Sequence, residues 1–168
     1  MHVLMVIAPQ DFRDEELRVP KTAFELAGRR VTVASTRVGV CVSIAGRTIE
    51  VSLALPDTRC EDYAAVVFVG GAGATCLFDD PHAHRIAREL YAQGALVTAI
   101  CIAPTILARA GLLQEVEATA FPSEREELAQ AGAKFIEAPV VTAGRVITAD
   151  GPAASEAFAA RILSALGA

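Results

Sequence analysis

The sequence predicts an α/β fold: a three-layer sandwich with a mostly parallel sheet between helices, in a single domain spanning residues 1–168. Three observations lead there. Short β-branched apolar runs recur along the chain, as strands covered on both faces require. Segments with helical spacing and helix stop or start signals separate them. The chain has 168 residues, 53% of them hydrophobic, which fits one domain with a real core.

The elements follow in order. "HVLMVIA" (2–8) reads as a first strand. In "DEELRVPKTAFELAG", Leu17, Phe24 and Ala27 fall at helical spacing, and Gly28 is a C-terminal stop. Pro20 suits a first turn better than a helix interior, so the start of this helix is left open. "RVTVAS" (30–35) is a second strand. Residues 40–53 form a hairpin or two short strands turning at Gly46. "AAVVFVGG" (64–71) is a third buried strand ending in paired glycines. "DDPHAHRIARELYAQG" (79–94) is a helix with acidic residues and Pro81 at its start and Gly94 at its end. "ALVTAIC" (95–101) is the next strand, and Thr105 to Leu113 the next helix. "SEREELAQAG" (123–132) is a short helix with Ser123 as N-cap and Glu126 three residues on. Residues 140–150 read strand, Gly144 turn, strand. Residues 152–167 close with a helix.

Composition removes several function classes. The net charge is −5, from 15 basic and 20 acidic residues. That disfavours nucleic acid and an anionic membrane surface as partners. The N-terminal apolar run spans roughly seven residues, too few for a membrane span. It reads as a strand rather than a signal peptide, and a cytoplasmic protein is expected. The four cysteines, Cys41, Cys60, Cys76 and Cys101, are widely separated. No C-x-x-C occurs, so neither a zinc site nor a disulfide framework is expected. Cys41, Cys60 and Cys76 read as small buried hydrophobes.

Ligands of such a sheet sit beyond the carboxyl ends of its strands. Three places lie there. Cys101 falls where a strand turns into a helix. Backbone N–H groups and the helix terminus at such a turn lower a thiol pKa and hold an oxyanion, yet a structural thiol fits there too. "VGGAGA", Val69 to Ala74, lets backbone approach a ligand, as an oxyanion hole or a plain tight turn. It lacks the third Gly of a dinucleotide fingerprint and the G-K-[ST] of a phosphate loop. "DFRDEELRVP" holds Asp14, Glu15 and Glu16, more carboxylates than capping needs, so one of them is a candidate to point inward.

Together these stretches resemble the ThiJ/PfpI superfamily of class I glutamine-amidotransferase-like domains. That group includes the parkinsonism-associated protein deglycase and PfpI-type intracellular peptidases. The resemblance runs along essentially the whole chain, through "VIAPQDFRDEELRVP", "VVFVGGAGA", "AICIAPTILARAGLL" and the stretch from "ATAFPS" to "GPAAS". It implies a flavodoxin-like fold. Cys101 then matches the family nucleophile and Glu16 the glutamate beside it. Gly70, Gly71 and Ile102 would supply backbone around the oxyanion.

The departures bear on chemistry. Peptidase-type members carry His immediately after the Cys, where Ile102 stands here. They also carry an acidic residue after the paired glycines, given to the neighbouring subunit's site, where Ala72, Gly73, Ala74 and Thr75 stand. The deglycase branch has a His at the position of Phe121. The histidines are His2, His82 and His84. His2 begins a strand at the edge of the sheet away from the proposed site. His82 and His84 open a helix on the site's face and read as solvated surface.

A thiol with only a carboxylate beside it suits reversible addition to a reactive carbonyl better than peptide hydrolysis. The resemblance implies glyoxalase/deglycase chemistry on small 2-oxoaldehydes such as methylglyoxal or glyoxal, through a Cys101 hemithioacetal with Glu16 as proton shuttle. No cofactor and no metal is expected. The alternatives are a PfpI-type peptidase, or a redox sensor or stress-protective protein whose Cys101 oxidises. At least a homodimer is expected.

Overall fold

The computed structural model describes residues 1–167. Along the chain run β1 (His2–Val6), β2 (Gln10–Phe12), α1 (Asp14–Leu26), β3 (Arg30–Ser35), β4 (Gly39–Ser43), β5 (Thr48–Val51) and β6 (Leu53–Ala54). The middle holds β7 (Ala65–Phe68), α2 (Pro81–Ala92), β8 (Leu96–Ile100) and α3 (Pro104–Arg109). Then come β9 (Glu117–Ala118), α4 (Arg125–Gln130), β10 (Lys134–Phe135), β11 (Val140–Ala143), β12 (Val146–Ala149) and α5 (Ser155–Ala165).

The central sheet has the order β11-β12-β8-β7-β1-β3-β6. Every pair is parallel except β11 with β12. Its strands read as continuous apolar runs because both faces are covered. Val3, Met5 and Ile7 pack with Leu17 and Phe24 of α1 and Phe158 and Ile162 of α5. Leu4 and Val6 point the other way, to Ile86 and Leu90 of α2, Ile106 of α3 and Leu128 of α4. The period of two along β1 therefore divides the core into its two layers. Thr98, buried in β8, donates its hydroxyl to Val66 O at 2.8 Å, so its polar atom costs little.

Several boundaries differ from the sequence reading. α3 stops at Arg109, short of Leu113. Gly111 adopts φ 81°, and its N–H and that of Leu112 cap the carbonyls of Ala108 and Leu107. This glycine ends the helix, and the two leucines after it pack as loop. Pro20 lies inside α1, buried, and the helix begins at Asp14. Having no N–H, Pro20 leaves the Glu16 carbonyl without its helical partner, a local loss that burial of the ring outweighs. Ser123 is not an N-cap. Pro122 starts a 3₁₀ turn, α4 begins at Arg125, and the Ser123 hydroxyl bonds Glu124 Oε2 at 2.6 Å. The polar strand β2 was not anticipated. It pairs with β4, and β4 with β5, in a small second sheet that leads the chain from β1 into α1.

The α1 layer is expected to depend on its largest core side chain. Phe24→Ala should cost about 3–5 kcal/mol, as phenylalanine truncations in closed cores do. Urea denaturation checks it, and a loss under about 1 kcal/mol would mean that α1 is not anchored as described.

Candidate active site

Three neighbouring strands deliver the site from their carboxyl ends. β1 leads through β2 to the start of α1, which carries Glu16. β7 leads to Val69, Gly70 and Gly71. β8, beside β7, ends at Cys101. This is where an open α/β sheet places its ligands.

Cys101 has φ 65°, a left-handed conformation that a residue with a Cβ rarely takes. It is held there from both sides. Its N–H donates to Ala149 O at 2.9 Å, and its C=O accepts from Phe121 N–H at 2.8 Å. A strained residue locked by its surroundings is the signature of a nucleophile elbow. The side chain is 5% exposed. Burial and the nearby Glu16 carboxylate push the thiol up to about 12, while the backbone N–H groups of Gly71 and Ile102 favour its anion. The helix terminus expected at the thiol begins three residues on, with α3 opening at Pro104.

Of the three carboxylates of "DFRDEEL", Glu16 points inward. It is fully buried, Glu15 is exposed and Asp14 is between. Glu16 Oε2 accepts the Gly70 N–H at 2.8 Å. Oε1 is buried without a hydrogen-bond partner among the described residues. The Cys101 thiol lies close enough to favour the carboxylate. Burial raises Glu16 from its ordinary value to about 7, against the opposing pull of Cys101, Gly70 and Arg13. Acid and thiol thus form one coupled unit. It tolerates one negative charge and resists two.

The glycines permit this contact. A Cβ on Gly70 would lie 2.5 Å from Glu16 Oε2 and 2.6 Å from Cys101 Cβ. Gly71 has φ 99°, and a Cβ there would strike the Arg13 nitrogen and Asp11 oxygen at 2.6 Å. The expected roles divide: Gly71 and Ile102 offer N–H groups at the sulfur, whereas the Gly70 N–H is taken by Glu16 and is not free for an oxyanion.

The other singled-out residues lie elsewhere. His2 bonds Thr32 Oγ1 at 2.7 Å and stacks beside Tyr63, at the opposite end of β1. His84 Nε2 bonds Phe78 O at 2.6 Å. Cys41 and Cys60 are buried, but Cys76 is exposed, contrary to the reading of a buried hydrophobe. It sits in the 3₁₀ stretch Ala72–Leu77, which exposes its outer side chains. A cavity of about 340 Å³ is lined by Thr119, Ala120, Pro122 and Arg125 among others, and Cys101 is not part of its lining. Among the described residues no group of three or more His, Cys, Asp or Glu side chains is placed to hold a metal ion, and no helix is long and apolar enough to cross a membrane. The sequence reading passed over Arg13, which flanks Glu16 at the start of α1.

The burial of Glu16 has a sign in stability. Its folded value lies above the ordinary 4.5, so the fold favours the protonated acid. That advantage is complete below 4.5 and is lost as pH rises through about 7. Glu16→Gln carries a neutral amide of the same shape. Its stability relative to wild type should therefore rise between about pH 4.5 and 8, by up to roughly 3 kcal/mol. Urea denaturation at both pH values checks this; a constant or falling difference would remove the burial cost assigned to the carboxylate.

The DJ-1/PfpI family model matches residues 1–165. An uncharacterized protein of Methanocaldococcus jannaschii is 42% identical over 167 residues, covering 98% of this chain and 82% of that one. A deglycase of Pyrococcus abyssi is 32% identical over 152 residues, covering 90% and 91%. The crystal structure of a ThiJ/PfpI domain protein from Brachyspira murdochii superposes with a TM-score of 0.96 at 30% identity, covering 98% and 95%. Matched by the family model over residues 1–165, the chain belongs to the DJ-1/PfpI family.

Proposed function

We propose that the protein is a cysteine-dependent glyoxalase or deglycase-type enzyme that acts on small 2-oxoaldehydes or their adducts. The observation that carries this reading is the Cys101–Glu16 unit: a strained thiol paired with a buried carboxyl that titrates near neutrality. Relatives named deglycase and glutathione-independent glyoxalase support it. A Bacillus subtilis relative carries a provisional cysteine-protease name, which keeps the peptidase as a second reading. The proposed working form is a cytoplasmic homodimer or larger homo-oligomer, without nucleic-acid or membrane partners.

The chemistry follows from one shared proton. With the proton on Glu16, the Cys101 thiolate attacks the aldehyde carbon of methylglyoxal. A C–S bond forms, the C=O π bond breaks, and the oxygen takes the Glu16 proton. The Gly71 and Ile102 N–H groups hold negative charge at the elbow. The Glu16 carboxylate then removes the C1 hydrogen as a proton and returns it to C2, while the C1 hydroxyl proton passes to the C2 oxygen. The hemithioacetal becomes a thioester of a 2-hydroxy acid. Water hydrolyses the thioester, releasing lactate and the thiol. Substrate and water together equal the product, and no electron leaves or enters.

Wild type should form lactate from methylglyoxal without glutathione, and Cys101→Ser should not. Glu16→Gln should lose roughly 10²-fold in turnover, the size of a general acid–base contribution. Glu15→Gln, exposed on the same turn, should change little. If the two glutamate variants behave alike, the assignment of Glu16 fails. Casein zymography tests the peptidase reading.

No imidazole is assigned a role. The double variant His82→Ala/His84→Ala should keep activity within about threefold of wild type. A loss of a hundredfold or more, with the oligomer intact by light scattering, would show that a histidine completes the site and would favour the peptidase.

A further inference from the structure

Arg13 is poorly explained by the helix it begins. As the N-cap of α1 it makes no side-chain capping bond, whereas Ser, Thr, Asp or Asn there would. Its positive charge sits at the positive end of the helix dipole, an unfavourable placement. The side chain is only partly exposed, and its Nε is buried with no hydrogen-bond partner among the described residues. Nor does any ion pair among them include it, although Asp14 and Glu15 follow directly. A half-buried guanidinium with an idle Nε carries a desolvation cost that an anionic ligand would offset.

Its position says which ligand. The Arg13 N–H donates to Gly70 O at 3.0 Å, and the Gly70 N–H donates to Glu16 Oε2 at 2.8 Å. One glycine therefore ties Arg13 to the carboxyl of the site. Arg13, the extended N-cap residue, stands three residues before Glu16, and its positive charge favours the Glu16 carboxylate. The backbone of Arg13 also lies against Gly71, whose N–H serves the thiol. A planar guanidinium matches a carboxylate through two parallel hydrogen bonds.

We propose that Arg13 is a specificity-determining residue of the Cys101 site, binding the carboxylate of an aldehyde that carries an acid group. This rests on the thiol–aldehyde reading above and widens the aldehydes that add to the thiol from neutral dicarbonyls to aldehydic acids. The binding step is the same addition: the sulfur bonds the aldehyde carbon, the π bond breaks, and the oxygen takes the proton of Glu16. The carboxylate on the adjacent carbon then meets Arg13.

Glyoxylate and its neutral amide, glyoxylamide, are the probes, and protection of Cys101 from iodoacetamide is the readout, scored by peptide mass mapping on the full chain. In wild type, glyoxylate should half-protect Cys101 at a concentration at least tenfold below that of glyoxylamide. Arg13→Gln should shrink this preference tenfold or more, and Arg13→Lys should keep part of it. Equal protection by the two probes in wild type would overturn the proposal without any variant. So would a preference unchanged in Arg13→Gln, including the case where that variant instead alters the oligomer because Arg13 pairs with a second copy. If neither aldehyde protects Cys101, the thiol–aldehyde reading itself falls; if glyoxylate protects wild type and Arg13→Gln with the same preference, only the role of Arg13 falls.

Discussion

The carboxyl of Glu16 is fully buried beside Cys101, with one oxygen on the Gly70 N–H and the other without a hydrogen-bond partner among the described residues. Everything else at the carboxyl end of the sheet serves that placement. Residue 70 must be glycine because a side chain there would meet both functional groups. Residue 101 must take a left-handed backbone to bring its sulfur over the sheet, and β12 and the Phe121 segment hold it so. Little water reaches either group. Burial raises the acid to about 7 against the opposing pull of the thiol, and burial together with the Glu16 carboxylate raises the thiol.

The absent family histidines change what this unit can do. Ile102 stands where peptidase-type relatives carry one, and Phe121 where the deglycase branch does. Phe121 contributes its backbone N–H to the elbow and leaves its ring 43% exposed. In the proposed mechanism Glu16 carries the proton that an imidazole would carry, and its raised value suits it to donate and accept near neutral pH. A carbonyl that needs only addition and a proton shift fits such a site. An amide, whose leaving amine needs a strong proton donor, fits it less well.

The strands and their order of appearance were legible because each is a buried β-branched run between turn residues, and both layers follow from the alternation of such runs with helical segments. The elbow was legible as a cysteine between an apolar strand and Pro104. Other features had no local signal. β2 is three polar-to-aromatic residues whose strand character exists only through pairing with β4. Pro20 argued for a later helix start, and tertiary burial overrode that preference. Gly111 looked like a helix-interior residue between Ala110 and Leu112, but its left-handed backbone ended α3. Arg13 was invisible as a site residue because sequence shows neither its idle Nε nor its tie through Gly70 to Glu16.

The central claim is that Cys101 and Glu16 share one proton. The most direct measurement is the pH dependence of Cys101 alkylation by iodoacetamide, in wild type and Glu16→Gln, followed by peptide mass mapping. When Glu16 and Cys101 both hold protons the sulfur is inert. Loss of the first proton, near pH 7, opens a state in which the remaining one moves between oxygen and sulfur. Wild type should therefore show a rise in alkylation rate with a midpoint near 7, and Glu16→Gln should lack that step and react only as its thiol ionises at higher pH. A midpoint near 7 that persists in Glu16→Gln would contradict the account, because another group would then control the thiol.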